Sequence, residues 1–107
     1  MASAERRAMY KVIFLPEAEK SFRTLDRAVQ LRIANKIDWL SENADNMLHH
    51  PLVSLPDGLK GLCRMRVGDY RILYWPYREN RHIKIYEIEH RSKDYFSVKK
   101  PYKSKSP

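Results

Sequence analysis

The 107-residue sequence contains little cysteine and no long apolar segment. Cys63 is the only cysteine, so the chain cannot form an intramolecular disulfide, and we interpret this residue as a small buried hydrophobic side chain. No apolar run reaches the roughly 18 residues that a membrane-spanning helix needs, and no apolar signal-peptide region follows the N-terminus. The sequence therefore predicts a soluble, cytoplasmic protein without a membrane anchor.

Residues that commonly bind metals are also sparse. His49 and His50 are adjacent, but neighbouring side chains point in different directions, and Cys63 is predicted to face the core rather than to supply a third ligand. We interpret the histidine pair as the surface of a loop. The sequence predicts neither a metal site nor a cofactor.

Acidic residues are outnumbered by basic ones. The chain has 13 Asp and Glu against 21 Lys and Arg, which gives a net charge of +8. Such an excess of positive charge favours polyanionic partners. Nucleic acid is the first candidate and an acidic protein the second, and a membrane surface is less favoured because no amphipathic basic helix stands out.

The length fits one domain, which we assign to residues 9–97. A short polar segment, residues 1–8, precedes it as a flexible lead. Lysines dominate residues 98–107, which are predicted to form a basic disordered tail.

The first half of the domain predicts a strand followed by a helical hairpin. Alternating apolar residues indicate a strand over residues 10–15, and Pro16 then suits the first position of a helix that ends near residue 25. Asp26 is expected to cap a second helix that ends near residue 43. Two helices joined so closely can lie on a sheet as an antiparallel pair.

The second half predicts an irregular connection and three strands. Residues 44–61 contain prolines and glycines with little periodicity, and residues 63–75 then form a β-hairpin. A last strand over residues 81–89 has imperfect alternation, so either it is covered on both faces or a β-bulge changes its parity. The predicted fold is α+β: a small antiparallel sheet of about four strands, the N-terminal helical hairpin packed on one face, and a short C-terminal segment.

The β-hairpin carries arginines in an unusual arrangement. A two-residue Gly68-Asp69 turn places Arg66 opposite Arg71, so that Arg64, Arg66 and Arg71 share one face. Like charges directly opposite one another cost up to about 1 kcal/mol, and such a cost suggests a use. Planar guanidinium groups match phosphate oxygens, so an anionic ligand is favoured over a merely solvated face. The other face carries core residues: Cys63, Met65, Val67, Tyr70, Ile72 and Tyr74.

Three segments of the sequence resemble the RelE/ParE family of bacterial toxins, the toxin half of type II toxin-antitoxin pairs. They are PEAEKSF at residues 16–22, LKGLCRMRVGDYRILY at residues 59–74 and IEHRSKDYF at residues 88–96. The resemblance implies the same fold of an antiparallel sheet with a helical hairpin. It also implies one of two activities: RelE-type members are metal-free endoribonucleases that cleave mRNA in the ribosomal A site, whereas ParE-type members inhibit DNA gyrase.

The resemblance to RelE-type members implies a set of site residues. Paired basic residues on the first hairpin strand correspond to Arg64 and Arg66, and the arginine on the second corresponds to Arg71. An arginine after the last strand corresponds to Arg91, and a C-terminal tyrosine to Tyr95. Aligned from Asp94 instead of Arg91, Phe96 takes the place of that tyrosine. Because a tyrosine also has an ordinary pKa near 10, His90 or Glu89 is kept as an alternative general base.

The function favoured by this resemblance is an endoribonuclease toxin that inhibits translation. The alternatives are a non-enzymatic gyrase inhibitor and an inactive relic that only binds its antitoxin. The expected partners are mRNA, the ribosome and a cognate antitoxin with acidic and apolar residues. Toxin and antitoxin together could form a heterotetramer. A cofactor is not expected.

Overall fold

The computed structural model describes residues 9–92, and the α+β class is confirmed. The predicted lead (residues 1–8), the basic tail (residues 98–107) and Tyr95 lie outside the described residues. A short 3-10 helix at Asp57–Leu59 precedes the β-hairpin. The other elements, in chain order, are β1 (Lys11–Phe14), α1 (Pro16–Thr24), α2 (Arg27–Asn43), β2 (His50–Pro51), β3 (Cys63–Val67), β4 (Tyr70–Tyr77) and β5 (His82–His90).

The helical hairpin forms as predicted because local signals define both helices. Pro16 begins α1, and the Leu25 N–H bonds to the Phe22 carbonyl at 3.2 Å as the chain leaves the helix. Asp26 caps α2 by accepting a hydrogen bond from the Val29 N–H at 3.2 Å. Neither helix in residues 9–92 is long and apolar enough to cross a membrane.

The sheet differs from the prediction in its edges. It has five strands in the order β1-β5-β4-β3-β2, and the two-residue strand β2 was not predicted. The sheet is mixed rather than wholly antiparallel, because β1 pairs parallel with β5. A tight turn enforces antiparallel pairing only between strands adjacent in sequence. The helical hairpin separates β1 from the other strands, which leaves its direction free.

A β-bulge in β5 resolves its imperfect alternation. Tyr86 is an extra residue at a shift in the pairing with β4, so the residues on either side of it change parity. Ile83, Ile85 and Ile88 consequently all reach the same hydrophobic core. The bulge alternative is confirmed.

The two faces of the sheet carry separate apolar clusters. The larger one joins Ile33, Ile37 and Leu40 of α2 to one face of β3, β4 and β5. On the other face, the connection between α2 and β3 contributes to a smaller cluster around Leu62 and Leu73. That cluster covers the part of the face far from the Gly68 turn, so Arg66, nearer the turn, stays exposed.

Candidate functional site

The predicted register of the β-hairpin is confirmed. Arg66 pairs with Arg71, and Val67 pairs with Tyr70 across a turn in which Gly68 has φ 58°. We call the sheet face that carries Arg64, Arg66 and Arg71 the arginine face. Cys63 lies on the other face, buried as expected, and burial raises the pKa of its thiol.

The three arginines of this face are not equivalent. Arg64 and Arg66 are exposed, whereas the Arg71 side chain is only 13% exposed and forms an ion pair with Glu89 at 3.4 Å. Glu89, which lies opposite Arg71 on β5, is 5% exposed and is the only buried carboxylate among the described residues. Arg71 lies between Arg66 on β3 and Glu89 on β5, so the Glu89 carboxylate offsets the repulsion between the two arginines. The ion pair also fixes the position of the Arg71 guanidinium.

The tip of the hairpin gathers two further arginines. Arg91 donates its backbone N–H to the Asp69 carbonyl at 2.6 Å, and its Nε lies 3.4 Å from an Asp69 carboxylate oxygen. Arg32 of α2 packs so closely on Gly68 that an added Cβ would lie 2.8 Å from its Nη1. Sequence reasoning identified Arg91 and missed Arg32, because no local pattern relates a helix surface to a distant turn.

His90 is separated from the arginine face. Side chains alternate along a strand, so His90 lies on the opposite face from Glu89 and Arg71, and its ring centroid is 5.0 Å from that of Tyr70. Its Nδ1 is hydrogen bonded to the Ser92 hydroxyl at 2.8 Å. The structure therefore does not bring His90 together with the arginine face, whereas it places Glu89, the other alternative general base, in an ion pair with Arg71. Tyr95 lies beyond the described residues, so its role stays a prediction.

The histidine pair differs from the predicted loop surface at both positions. His50 is exposed but belongs to the short strand β2, and His49 lies in the connection but is half-buried. The two ring nitrogens of His49 lie 2.8 Å from the Tyr74 hydroxyl and 2.9 Å from the Ala44 carbonyl. Within residues 9–92, no three His, Cys, Asp or Glu side chains are grouped to hold a metal.

A cleft of about 370 Å³ adjoins the arginine face. It lies between α2 and β3, and β2 pairs with β3 only at Cys63 and Arg64. The lining combines Trp39 and Leu48 with basic side chains and includes no carboxylate. The basic residues that line it are Lys36, Arg64, Arg66 and Arg71.

The arrangement suits the binding of a phosphodiester. Exposed guanidinium groups on one face donate to phosphate oxygens and stabilise charge that develops on them. Glu89 holds Arg71 in place beside Arg66, and Arg91 adds a further exposed cation at the tip of the hairpin.

Comparison with known families identifies a match over most of the chain. A family model described as the ParE toxin of the type II toxin-antitoxin system, parDE, matches residues 12–95. No curated protein sequence is significantly similar to the chain.

Several solved structures share the fold. The RelBE2 toxin-antitoxin complex from Mycobacterium tuberculosis contains a chain of 24% identity, with a TM-score of 0.66 over 80% of this chain and 95% of that one. The isolated E. coli RelE toxin is 15% identical, with a TM-score of 0.64 over 89% and 98%. The archaeal RelE-RelB complex from Pyrococcus horikoshii OT3 gives 22% identity and a TM-score of 0.61 over 80% and 99%. At these identities the likeness establishes the fold.

Proposed function

The chain belongs to the family of ParE toxins of type II toxin-antitoxin systems, and we propose that it is a metal-free endoribonuclease that cleaves mRNA in the ribosomal A site. Cleavage there inhibits translation and arrests growth. Both mRNA and ribosomes are substrates or partners in this proposal, which places the protein in the cytoplasm.

The observation that supports this proposal is the arginine face. Arg66 lies opposite Arg71, a pairing of like charges that is unfavourable and that the Glu89 carboxylate offsets only from the Arg71 side. A phosphodiester repays that cost by accepting hydrogen bonds from both guanidinium groups. Arg64 lies on the same face, and Arg91 stands at the tip of the same hairpin.

Cleavage without a metal requires three events at the phosphate. The 2'-hydroxyl loses its proton and its oxygen bonds to phosphorus, the bond to the 5'-oxygen breaks, and that oxygen gains a proton. Arg66 and Arg71 stabilise the extra negative charge on the phosphorane between these events. Tyr95 is the proposed general base, and its ordinary pKa near 10 requires a cationic environment to lower it.

Arg66→Ala tests the proposal with little risk to folding, because Arg66 is exposed. Removing one donor to developing charge lowers the cleavage rate by roughly 10²- to 10³-fold. The rate is measured on purified ribosomes programmed with an mRNA codon in the A site. Arg78→Ala is the matched control: it removes the same charge from an exposed turn between β4 and β5, and the rate should stay within about twofold of the wild type.

The matching family model is a ParE model, which supports gyrase inhibition as the second candidate. Mapping of mRNA 5' ends in expressing cells separates the two. New ends in phase with codons, lost in Arg66→Ala, support the endoribonuclease. Growth arrest with DNA breaks and no new ends would replace it with the gyrase inhibitor, and absence of arrest would indicate an inactive relic.

We propose that a cognate antitoxin holds the toxin inactive. The net charge of +8 favours a chain with acidic and apolar residues, and two of the solved structures of the same fold are complexes with an antitoxin or RelB. A partly helical antitoxin that folds over the sheet and the helical hairpin fits these features, in a toxin-antitoxin heterotetramer. In the expression experiment, the antitoxin encoded beside the toxin should restore growth.

A further inference from the structure

Trp39 is unusually exposed for a tryptophan on a packed helix. Its side chain lies on α2 and is 41% exposed, although α2 buries Ile33, Ile37 and Leu40 against the sheet. The indole borders the cleft that also contains Arg64. A large aromatic surface kept in solvent beside a cleft suggests a contact that the isolated chain does not make.

The charge of the cleft defines the chemistry of its ligand. The Lys36 ammonium lies 4.4 Å from the centroid of the Trp39 ring, and Arg64 and Arg66 line the same cleft. None of the lining residues is acidic. An exposed aromatic ring among cations is the arrangement with which proteins bind single-stranded nucleic acid, where a base stacks on the ring and the backbone phosphates meet the cations.

The size of the cleft argues against a folded peptide. Its volume of about 370 Å³ is near the lower end of the roughly 300–1,000 Å³ that small-molecule sites occupy. An α-helix with side chains is about 10–12 Å across and rises about 5.4 Å per turn, so a single turn fills roughly 400–600 Å³, which exceeds the volume of this cleft. A single nucleotide fits the available space and brings one base and one phosphate together.

We propose that the cleft between α2 and β3 is a nucleotide subsite, in which Trp39 stacks one base of a single-stranded RNA and Lys36 and Arg64 contact its phosphate. The subsite rests on the proposed function in one respect, because the strand cleaved at the arginine face continues into the cleft. Arg66 lines the cleft and lies on that face, so it connects the two.

Binding is measured with a short, 5'-labelled 2'-O-methyl oligonucleotide, which cannot be cleaved, by fluorescence anisotropy. Trp39→Ala should weaken binding by about 10-fold or more, since stacking of a base on an aromatic ring has that magnitude. Trp39→Phe keeps a ring and should stay within about threefold of wild type. Leu31→Ala, which removes a 55% exposed apolar side chain from the same helix but outside the cleft, should change the affinity less than twofold.

Two comparisons make the stacking assignment specific. An oligonucleotide that lacks its bases should bind wild type and Trp39→Ala with equal affinity. If Trp39→Ala weakens the binding of this oligonucleotide as much as that of the one with bases, the subsite is overturned. Unchanged oligonucleotide affinity in Trp39→Ala, with loss of binding to a labelled poly-glutamate peptide, would assign the cleft to an acidic protein. Circular dichroism verifies that each variant is folded.

The experiment separates the subsite from the proposed activity. A wild-type protein that binds the oligonucleotide through Trp39 but cleaves no mRNA overturns the proposed function and leaves the subsite in place. A Trp39→Ala variant that binds and cleaves like wild type overturns the subsite alone.

Discussion

The two ends of β5 hold charged side chains in opposite ways. At its start, Arg81 lies between Asp45, at 3.1 Å, and the ring of Tyr10, at 4.6 Å. The Asp45 carboxylate neutralises this cation and also accepts a hydrogen bond from the Tyr10 hydroxyl at 2.5 Å. We call these three residues the paired cluster.

At the end of β5, positive charge is left in excess. Arg66 and Arg71 of the arginine face are accompanied by Arg91 and Arg32 at the tip of the hairpin. The acidic partners shown there are Glu89, beside Arg71, and Asp69, beside Arg91. A net positive charge at this end attracts an anion, whereas the neutral paired cluster does not.

The backbone indicates that the paired cluster is structural. Arg81 has φ 54°, a left-handed conformation that costs a non-glycine residue roughly 1–2 kcal/mol. The contacts to Asp45 and Tyr10 hold the side chain in that position. They join the residue before β1 to the segment that follows α2 and to the residue before β5. Charge at the start of β5 thus supports the fold, while charge at its end is available to a ligand.

The largest expected effect concerns Arg71, which lies on the arginine face but also forms a buried ion pair that supports the fold. Arg71→Ala should destabilise the protein by about 3–5 kcal/mol, because it leaves the buried Glu89 carboxylate without this partner. Arg66→Ala removes an exposed side chain and one of two like charges that lie opposite each other, so it should change the stability by no more than about 0.5 kcal/mol in either direction. Urea unfolding measures both free energies.

A double-mutant cycle supplies the control for this result. Arg71→Ala combined with Glu89→Ala should recover part of the loss, because the double variant also removes the buried carboxylate that pairs with Arg71. If the double variant is as unstable as the sum of the two single variants, the ion pair does not couple them. The Arg71 ion pair would then make no specific contribution to the stability of the fold.

A smaller effect is expected at the paired cluster when the pH falls. The hydrogen bond from Tyr10, followed by that from Arg81, lowers the pKa of Asp45 below its ordinary value of 3.8. A carboxylate with a lowered pKa in the folded state stabilises the fold above its unfolded pKa. That contribution is fully present above about pH 4 and is lost as the pH falls through the lowered pKa of the folded state.

Chemical unfolding at a series of pH values between about 2 and 6 measures this dependence. Asp45→Asn should flatten the curve in the acid range, because the titrating group is gone. Asp57→Asn, a change at a 97% exposed carboxylate in a surface ion pair, should leave the curve unchanged. Parallel curves for wild type and Asp45→Asn would show that the paired cluster does not support the fold through its charge.

The parts of the fold that were predictable depend on local signals. Pro16 and Asp26 define the helix starts, and the Gly68-Asp69 turn fixes the register of the β-hairpin. These signals act over a few residues, so the sequence alone identifies them. The parallel position of β1 depends on pairing with β5, about 70 residues away, and no local pattern indicates it.

The candidate site divides in the same way. Alternation along the hairpin placed Arg64, Arg66 and Arg71 on one face, which the structure confirms. The Glu89 partner of Arg71 was not predicted, because the bulge at Tyr86 shifts the register between β4 and β5. Tertiary packing alone places Arg32 against Gly68, and Lys36 and Trp39 beside the arginine face.

The smallest expected effect is the response to chelation, which should be zero. Arginines stabilise the charge in the proposed reaction, so no metal is required. His49 belongs to the adjacent histidine pair, and its two ring nitrogens lie within hydrogen-bond distance of the Tyr74 hydroxyl and the Ala44 carbonyl. His49 therefore belongs with the structural charges and polar groups rather than with the site. Cleavage of A-site mRNA should continue at an unchanged rate after EDTA treatment, in a buffer whose free Mg²⁺ is restored to keep ribosomes intact. Loss of cleavage that Zn²⁺ or Mn²⁺ restores in wild type but not in His49→Ala would assign a metal to this histidine and overturn a reaction carried by arginines alone.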